Sequence, residues 1–260
     1  GSSPTHPELL DWLAVDFMEH GWSTKRLHRL MMMSTAYRQS AHRPSAGKAI
    51  EIDPENELLS RMNLRRLEAE VLRDSVLAVS GKLDPTVGGA PIAVTSNPDG
   101  LVTISDKGPN PAGKWRRSIY VRSLRGSHPS GTGLRLSMLE VFDFPEVVIN
   151  CTRRVNSTTP LQSLTLMNSA FMQEQSRNFA ERVRGIAGDD RPALQIETAF
   201  VLAFGRTPSA RESEFCLDYL KEQQVEYQQA NPEPGKKALG GALAGLCSML
   251  LASNEFLYNG

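Results

Sequence analysis

A chain of 260 residues with 40% apolar side chains is long enough to bury a substantial core. Its 29 Lys and Arg balance 29 Asp and Glu, so overall charge selects neither a polyanion nor a polycation as partner. The longest apolar stretches, such as Ala242 to Ala252, are too short to span a bilayer, and three cysteines (Cys151, Cys216, Cys247) without a Cys-x-x-Cys exclude a fully paired disulfide framework and a local zinc or haem-attachment motif. Three buried thiols is the simplest reading of that cysteine usage, with one disulfide pair plus a leftover thiol as the alternative in an oxidising compartment.

Thr5-His6-Pro7-Glu8 reads as a capping box that opens a helix with Leu9, Leu10, Leu13 and Phe17 on one stripe, and Gly21 ends it. Ser23 caps a second helix with Leu27, Leu30, Met31, Ser34 and Tyr37 on its inner face. The short connection predicts a helical hairpin. Residues 41–53 form a polar linker, and Asp53-Pro54-Glu55 restarts a helix. A longer helix is predicted from Asn63 to Ser80, where Leu64, Leu67, Val71, Leu72, Val76 and Val79 recur at helical spacing before Gly81.

From 82 to 150 Pro and Gly are dense, and β-like runs occur at Leu101–Ile104, Ser118–Leu124 and Glu140–Phe144. This predicts an irregular insertion holding a small sheet or hairpin; loops of this length in a compact domain usually carry function or disorder. Helices resume with a capping box at Thr159-Pro160-Leu161-Gln162, followed by helices at 170–186, 192–204, 209–229 and 237–253. The fold class is therefore mainly α: one domain over 1–260, with helical parts at 1–81 and 151–260 sharing a core around a β-containing insertion at about 82–150.

Several strings occur in a familiar order: Thr5-His6-Pro7-Glu8-Leu9-Leu10-Asp11-Trp12, Gly21-Trp22-Ser23, Ser34-Thr35-Ala36-Tyr37-Arg38-Gln39, Asn63-Leu64-Arg65-Arg66-Leu67-Glu68-Ala69-Glu70, Arg117-Ser118-Ile119-Tyr120, Phe142-Asp143-Phe144-Pro145, Cys151-Thr152-Arg153-Arg154, and Ser253-Asn254-Glu255-Phe256-Leu257-Tyr258. Together they resemble the planctomycete cytochrome-c-associated domain of unknown function, family 1553, that closes large multidomain chains. The resemblance covers residues 4–258, and this chain looks N-terminally clipped relative to that pattern. It implies company more than chemistry: an upstream cytochrome c domain and a second uncharacterised domain of the same polypeptide, and an extracytoplasmic home. Haem c is expected only on that separate domain, with no cofactor in this chain. The family lends no catalytic residue.

Three clusters are candidate sites. Between 107 and 139 the chain carries Lys107, Lys114, Arg116, Arg117, Arg122, Arg125 and Arg135 and no acid. Clustered guanidinium groups suit capture of carboxylate, sulfate or phosphate, and the structural alternative is a solvated loop paired with acids elsewhere. Asp143 with Cys151, Arg153, Arg154, Asn156, Ser157 and Thr158 precedes a helix start, where two arginines and backbone amides can hold an anion, or where Asp143 pairs with an Arg, Thr159 caps and the motif merely fixes a turn. Arg65, Arg66, Glu68, Glu70, Arg73 and Asp74 place carboxylates on one helical face, for acid–base work, for an i, i+4 charge ladder, or for buried Arg–carboxylate pairs joining this helix to the basic segment. The ligand-binding candidates are thus Arg65, Arg66, Arg116, Arg117, Tyr120, Arg122, Asp143, Arg153 and Arg154. No metal site is predicted: none of the five histidines has a ligand partner at motif spacing, and Met31-Met32-Met33 reads as core filler.

Two functions fit. One is an accessory or interaction module that meets its upstream domains, an acidic glycan or an acidic protein face through the Arg-rich segment. The other is a domain of an extracytoplasmic redox or polysaccharide-processing enzyme with an Arg/Asp/Tyr site. Neutral charge and few interleaved aromatics argue against nucleic acid.

Overall fold

The computed structural model describes residues 3–41, 47–105, 107, 111–123, 135–145, 151, 154–230 and 236–259. The protein is mainly α, with a small β hairpin near its middle. The chain divides into two compact units, Gly1–Arg65 with Tyr258–Gly260, and Arg66–Leu257.

The first unit holds α1 (Pro7–Glu19), α2 (Thr24–Met33) and α3 (Gly47–Ile52). The Thr5 capping box does not form: His6 is the N-cap, its side chain accepts no amide, and the Thr5 hydroxyl instead lies 2.9 Å from the His6 ring. Ser23 does cap α2, accepting the Arg26 amide at 3.3 Å. Gly21 and Trp22 both sit at positive φ in the turn, and Trp22 packs edge-on against Phe17, with ring centroids 5.3 Å apart. No helix restarts at Asp53. Its carboxylate accepts the Glu57 and Leu58 amides at 2.9 and 2.8 Å, and Asn56 and Leu59 take positive φ, which a right-handed helix cannot accommodate.

The second unit begins with an extended entry. The helix foreseen from Asn63 runs only over α4 (Ala69–Val79), because Arg65 and Arg66 are extended and the Leu67 amide donates to the Leu257 carbonyl at 2.7 Å. Ala69, Leu72, Val76 and Leu77 bury the inner face of α4. Its C-terminal carbonyls, which a helix leaves unpaired, are taken by the Arg182 guanidinium, 2.7 Å from Ala78 O and 2.8 Å from Val79 O. Arg182 belongs to α7 (Ala170–Ala187), and Ser80 Oγ donates to Gln175 Oε1 of the same helix at 2.8 Å.

The described residues between 82 and 123 are largely irregular. Val94–Ser96 and Val102–Ile104 pair antiparallel, with Thr95 opposite Thr103. The β-like run at Ser118 is instead a 3-10 turn over Ser118–Tyr120, joined to the chain through a bridge between Ile92 and Val121, and Leu124 lies outside the described residues. The run at Glu140 is the end of a short helix, α5 (Ser137–Val141), that seats Phe142 in the core.

The α6 helix (Pro160–Asn168) starts as foreseen, with Pro160 in its first turn and Gln162 Oε1 facing the Thr159 amide at 3.4 Å. Helices α7, α8 (Pro192–Phe204), α9 (Ala210–Ala230) and α10 (Lys236–Leu251) then form the main bundle, closed by α11 (Asn254–Leu257). Its core is built from Met172, Phe179, Val183, Ile196, Ala199, Leu243, Leu246 and Leu251. Cys216 and Cys247 are buried there as thiols, and burial raises both above the usual cysteine range, whereas Cys151, expected to be buried as well, is exposed.

Arg206, between α8 and α9, ties three elements together. It forks onto Glu212 at 2.9 and 2.7 Å and onto Glu255 at 2.6 and 2.7 Å, with its guanidinium 5.4 Å from the Phe200 ring. Its hydrogen bonds to Glu212 hold that carboxyl at about 2. A carboxylate depressed in the folded state contributes stability above the ordinary glutamate value of 4.5, and that contribution disappears as pH falls through about 2. Arg206→Ala is therefore expected to lower unfolding free energy by roughly 1 kcal/mol at neutral pH, the scale for a part-exposed but bidentate network, and to flatten the acid limb of the stability curve below pH about 4.5. Urea melts between pH 2 and 7 measure both effects.

Candidate functional site

The site candidates on the described residues fall into three connected knots within the second unit. The first is centred on α4. Arg73, 1% exposed, lies on the same buried stripe as Leu72, Val76 and Leu77. An unpaired guanidinium there would be prohibitive, so its donors go to backbone carbonyls of the irregular segment: Nη1 to Arg116 O at 3.1 Å, Nη2 to Lys114 O at 2.9 Å, and Nη1 also to Ser118 Oγ at 3.2 Å. Burial lowers its pKa to about 10. Asp74, the next residue, accepts the Ser118 amide and hydroxyl, both at 2.7 Å, and meets Arg117 Nε at 3.5 Å.

Arg116 continues this chain of donors. It is also 1% exposed, and it donates to the carbonyls of Thr86 (3.2 and 3.1 Å), Ala90 (3.1 Å) and Gly88. Its guanidinium stacks 3.8 Å from the centroid of Tyr120, whose hydroxyl accepts the Gly88 amide at 2.9 Å. The cation and the phenol thus close one loop.

The second knot gathers around Asp143, a non-glycine residue at φ +62°. Its carboxylate accepts from Arg66 Nη2 and from the Ser157 amide and hydroxyl, both at 2.7 Å. Gln162 of α6 braces the group, donating to Ser157 Oγ at 3.3 Å and to Val141 O at 3.0 Å. Arg66 is buried, 5.2 Å from the Phe142 ring centroid, and its Nε and Nη1 are buried without a hydrogen-bond partner.

The third knot joins Arg154 to α4. Nη1 and Nη2 fork onto Glu70 at 2.6 and 2.9 Å, Glu68 lies 3.2 Å away, and the Glu70 hydrogen bonds hold the guanidinium above its usual pKa. Glu70 therefore pairs across the fold with Arg154 rather than along its helix with Arg66.

Apart from the Arg117 contact with Asp74 and the Lys114 carbonyl, the remaining candidates stay outside these knots. Arg65 and Arg122 are exposed, and Arg117 keeps 62% of its side chain in solvent. Arg135 pairs with Glu140 at 2.8 Å, the Lys114 ammonium sits 4.4 Å above the Trp115 ring, and Lys107 is exposed. Arg125 and Arg153 lie outside the described residues. Sequence reasoning named Arg73 within a cluster read as a charge ladder or as buried pairs to the basic segment, named Gln162 only as a cap, and passed over Arg206. The position of Arg73 in an apolar i, i+3, i+4 stripe was the available signal, since a cation there must be buried and paired.

A groove of about 630 Å³ runs elsewhere in this unit, along α7 and α10, with Arg177, Glu181, Arg184 and Tyr227 on its walls. Its floor includes Gly241, where a Cβ would lie 3.0 Å from the Tyr227 ring. None of the candidates from the sequence lines it. Among the described residues no group of three or more His, Cys, Asp or Glu could hold a metal, and no helix is long and apolar enough to cross a membrane.

Removing Arg116, itself 1% exposed, would take the shared donor from part-buried carbonyls of three residues and the stacking partner from Tyr120. Arg116→Met is expected to lower unfolding free energy by about 3 kcal/mol or more, and Arg116→Lys to recover less than half of it, since one ammonium cannot reach all three. Chemical denaturation of the two variants checks this.

Residues 1–220 match the family model PSD1, described as a protein of unknown function (DUF1553). No curated protein and no solved structure matches the chain.

Proposed function

The chain belongs to this DUF1553 family, and on that premise we propose that it is an accessory, non-catalytic interaction module of an extracytoplasmic multidomain protein. Its partners would be the cytochrome c and uncharacterised domains upstream in the same polypeptide, or an acidic glycan or protein surface. The observation that carries this reading is how the reactive-looking groups are engaged. Arg66, Arg73, Arg116, Arg154, Asp74 and Asp143 bind one another or the backbone, and so define the shape of the segment instead of facing a substrate. At the Ser118–Tyr120 turn the side chains left in solvent include two cations, Arg117 and Arg122, and these carry the anion-facing role.

A second reading, an extracytoplasmic redox or polysaccharide-processing enzyme, draws on one feature. Asp143 combines left-handed backbone with a neighbouring buried guanidinium that has two unpartnered nitrogens, and such irregularities cluster at active sites. Against it, three donors already converge on the carboxylate.

Arg117→Ala/Arg122→Ala is expected to weaken retention on a sulfated-glycan column by at least about threefold at low salt, without shifting the melting temperature, because each exposed cation contributes through screened electrostatics. Retention equal to wild type would remove the anion-facing role. Hydrolysis of an acidic polysaccharide that is lost in Asp143→Asn would favour the enzyme.

A further inference from the structure

The first unit leaves an apolar surface that its own helices do not cover. On α1, at 100° per residue, Leu9, Leu13, Phe17, Leu10, Ala14 and Met18 follow one another round an arc of about 180° with no charge in it. Facing one neighbouring helix requires only about 100° of apolar surface. Leu13 and Phe17 are half-buried in the α1–α2 hairpin, while Leu10 and Met18, on the far part of the arc, remain 55% and 49% exposed. Among the described residues of this unit, no apolar side chain is fully buried.

The charges say what kind of cover fits. Every acidic or basic side chain on α1 is acidic (Glu8, Asp11, Asp16, Glu19), and every one on α2, His28 apart, is a permanent cation (Lys25, Arg26, Arg29). Asp16 borders one edge of the arc and is paired with Arg26 of the hairpin's own α2. Asp11 borders the other edge, and among the described residues it has no ion pair; neither have Lys25 and Arg29. The missing neighbour is therefore a helix with an apolar stripe and a basic rim. An anionic lipid surface would meet Asp11, Glu8 and Glu19 with repulsion.

We propose that the occupant is α2 of a second copy of this chain, in a two-fold pairing of hairpins. Rotation about an axis along the bundle places α1 between its own α2 and its partner's α2. All four neighbouring pairs then run antiparallel and join an acidic helix to a basic one, so dipoles and side-chain charges agree. This surface uses different residues from the anion-facing role of Arg117 and Arg122 and stands whether or not that role does.

Sedimentation equilibrium of the chain from roughly 1 to 200 µM spans the range expected for a modest interface without deep anchors. The expected result is a monomer–dimer equilibrium. Leu10→Lys, at a side chain half exposed in the monomer, should weaken it by at least about tenfold. Asp11→Lys should also weaken it, and Asp11→Lys/Lys25→Glu/Arg29→Glu should restore it, a rescue that loss of folding would not give. A wild-type chain that stays monomeric throughout, whether inert or bound to phosphatidylserine vesicles, overturns the proposal. So does a dimer indifferent to Leu10→Lys and Asp11→Lys.

Discussion

The irregular segment of the second unit depends on two buried guanidinium groups. The described residues between 82 and 123 make few regular hydrogen bonds, yet they lie against a helix that buries Leu72, Val76 and Leu77 completely. Backbone carbonyls in such a place must find donors or the segment cannot pack. Arg73 supplies them from α4 to residues 114 and 116, and Arg116 passes the same service on to residues 86–90. Arginine suits this role because its planar fork carries five donors in fixed directions and its weak hydration makes burial less costly than for lysine. Stacking on Tyr120 fixes the plane of that fork.

This arrangement explains why a run of basic residues without acids need not be an open binding surface. The acids stand on α4 and are distant in sequence: Asp74 meets the Ser118 turn and Arg117, while Glu70 meets Arg154. Each knot uses α4 or its entry as the common post, so the helix that sequence periodicity marks as core also organises the polar interior. The exposed cations are the remainder of this architecture.

Sequence periodicity located α1, the start of α2 and the helices from α6 to α10 within a residue or two, because caps and apolar stripes are local signals; α2 stops at Met33, four residues before the Tyr37 expected on its inner face. It failed where a partner far along the chain decides the local conformation. Asn63–Glu68 has helical spacing, yet the Leu67 amide is claimed by Leu257, and the helix waits until Ala69. Ser118–Leu124 alternates like a strand, but Asp74 holds Ser118 in a tight turn. The site residues were legible as a set of types, since Asp143, Arg66, Arg154 and Arg116 were all singled out. Which partner each would meet was not, because the contacts join positions 14 to 84 residues apart. Arg66 shows the limit most clearly: nothing near it in sequence points to Asp143.

The bond between Leu67 and Leu257 joins the two ends of the second unit. Chain therefore enters and leaves that unit at nearly one place. In a longer polypeptide under tension, load would pass across this short doorway, and the bundle behind it would hang off the line of force. The same adjacency suits the unit to circular permutation, since new ends could be opened in an exposed turn and the old ones sealed by a short linker.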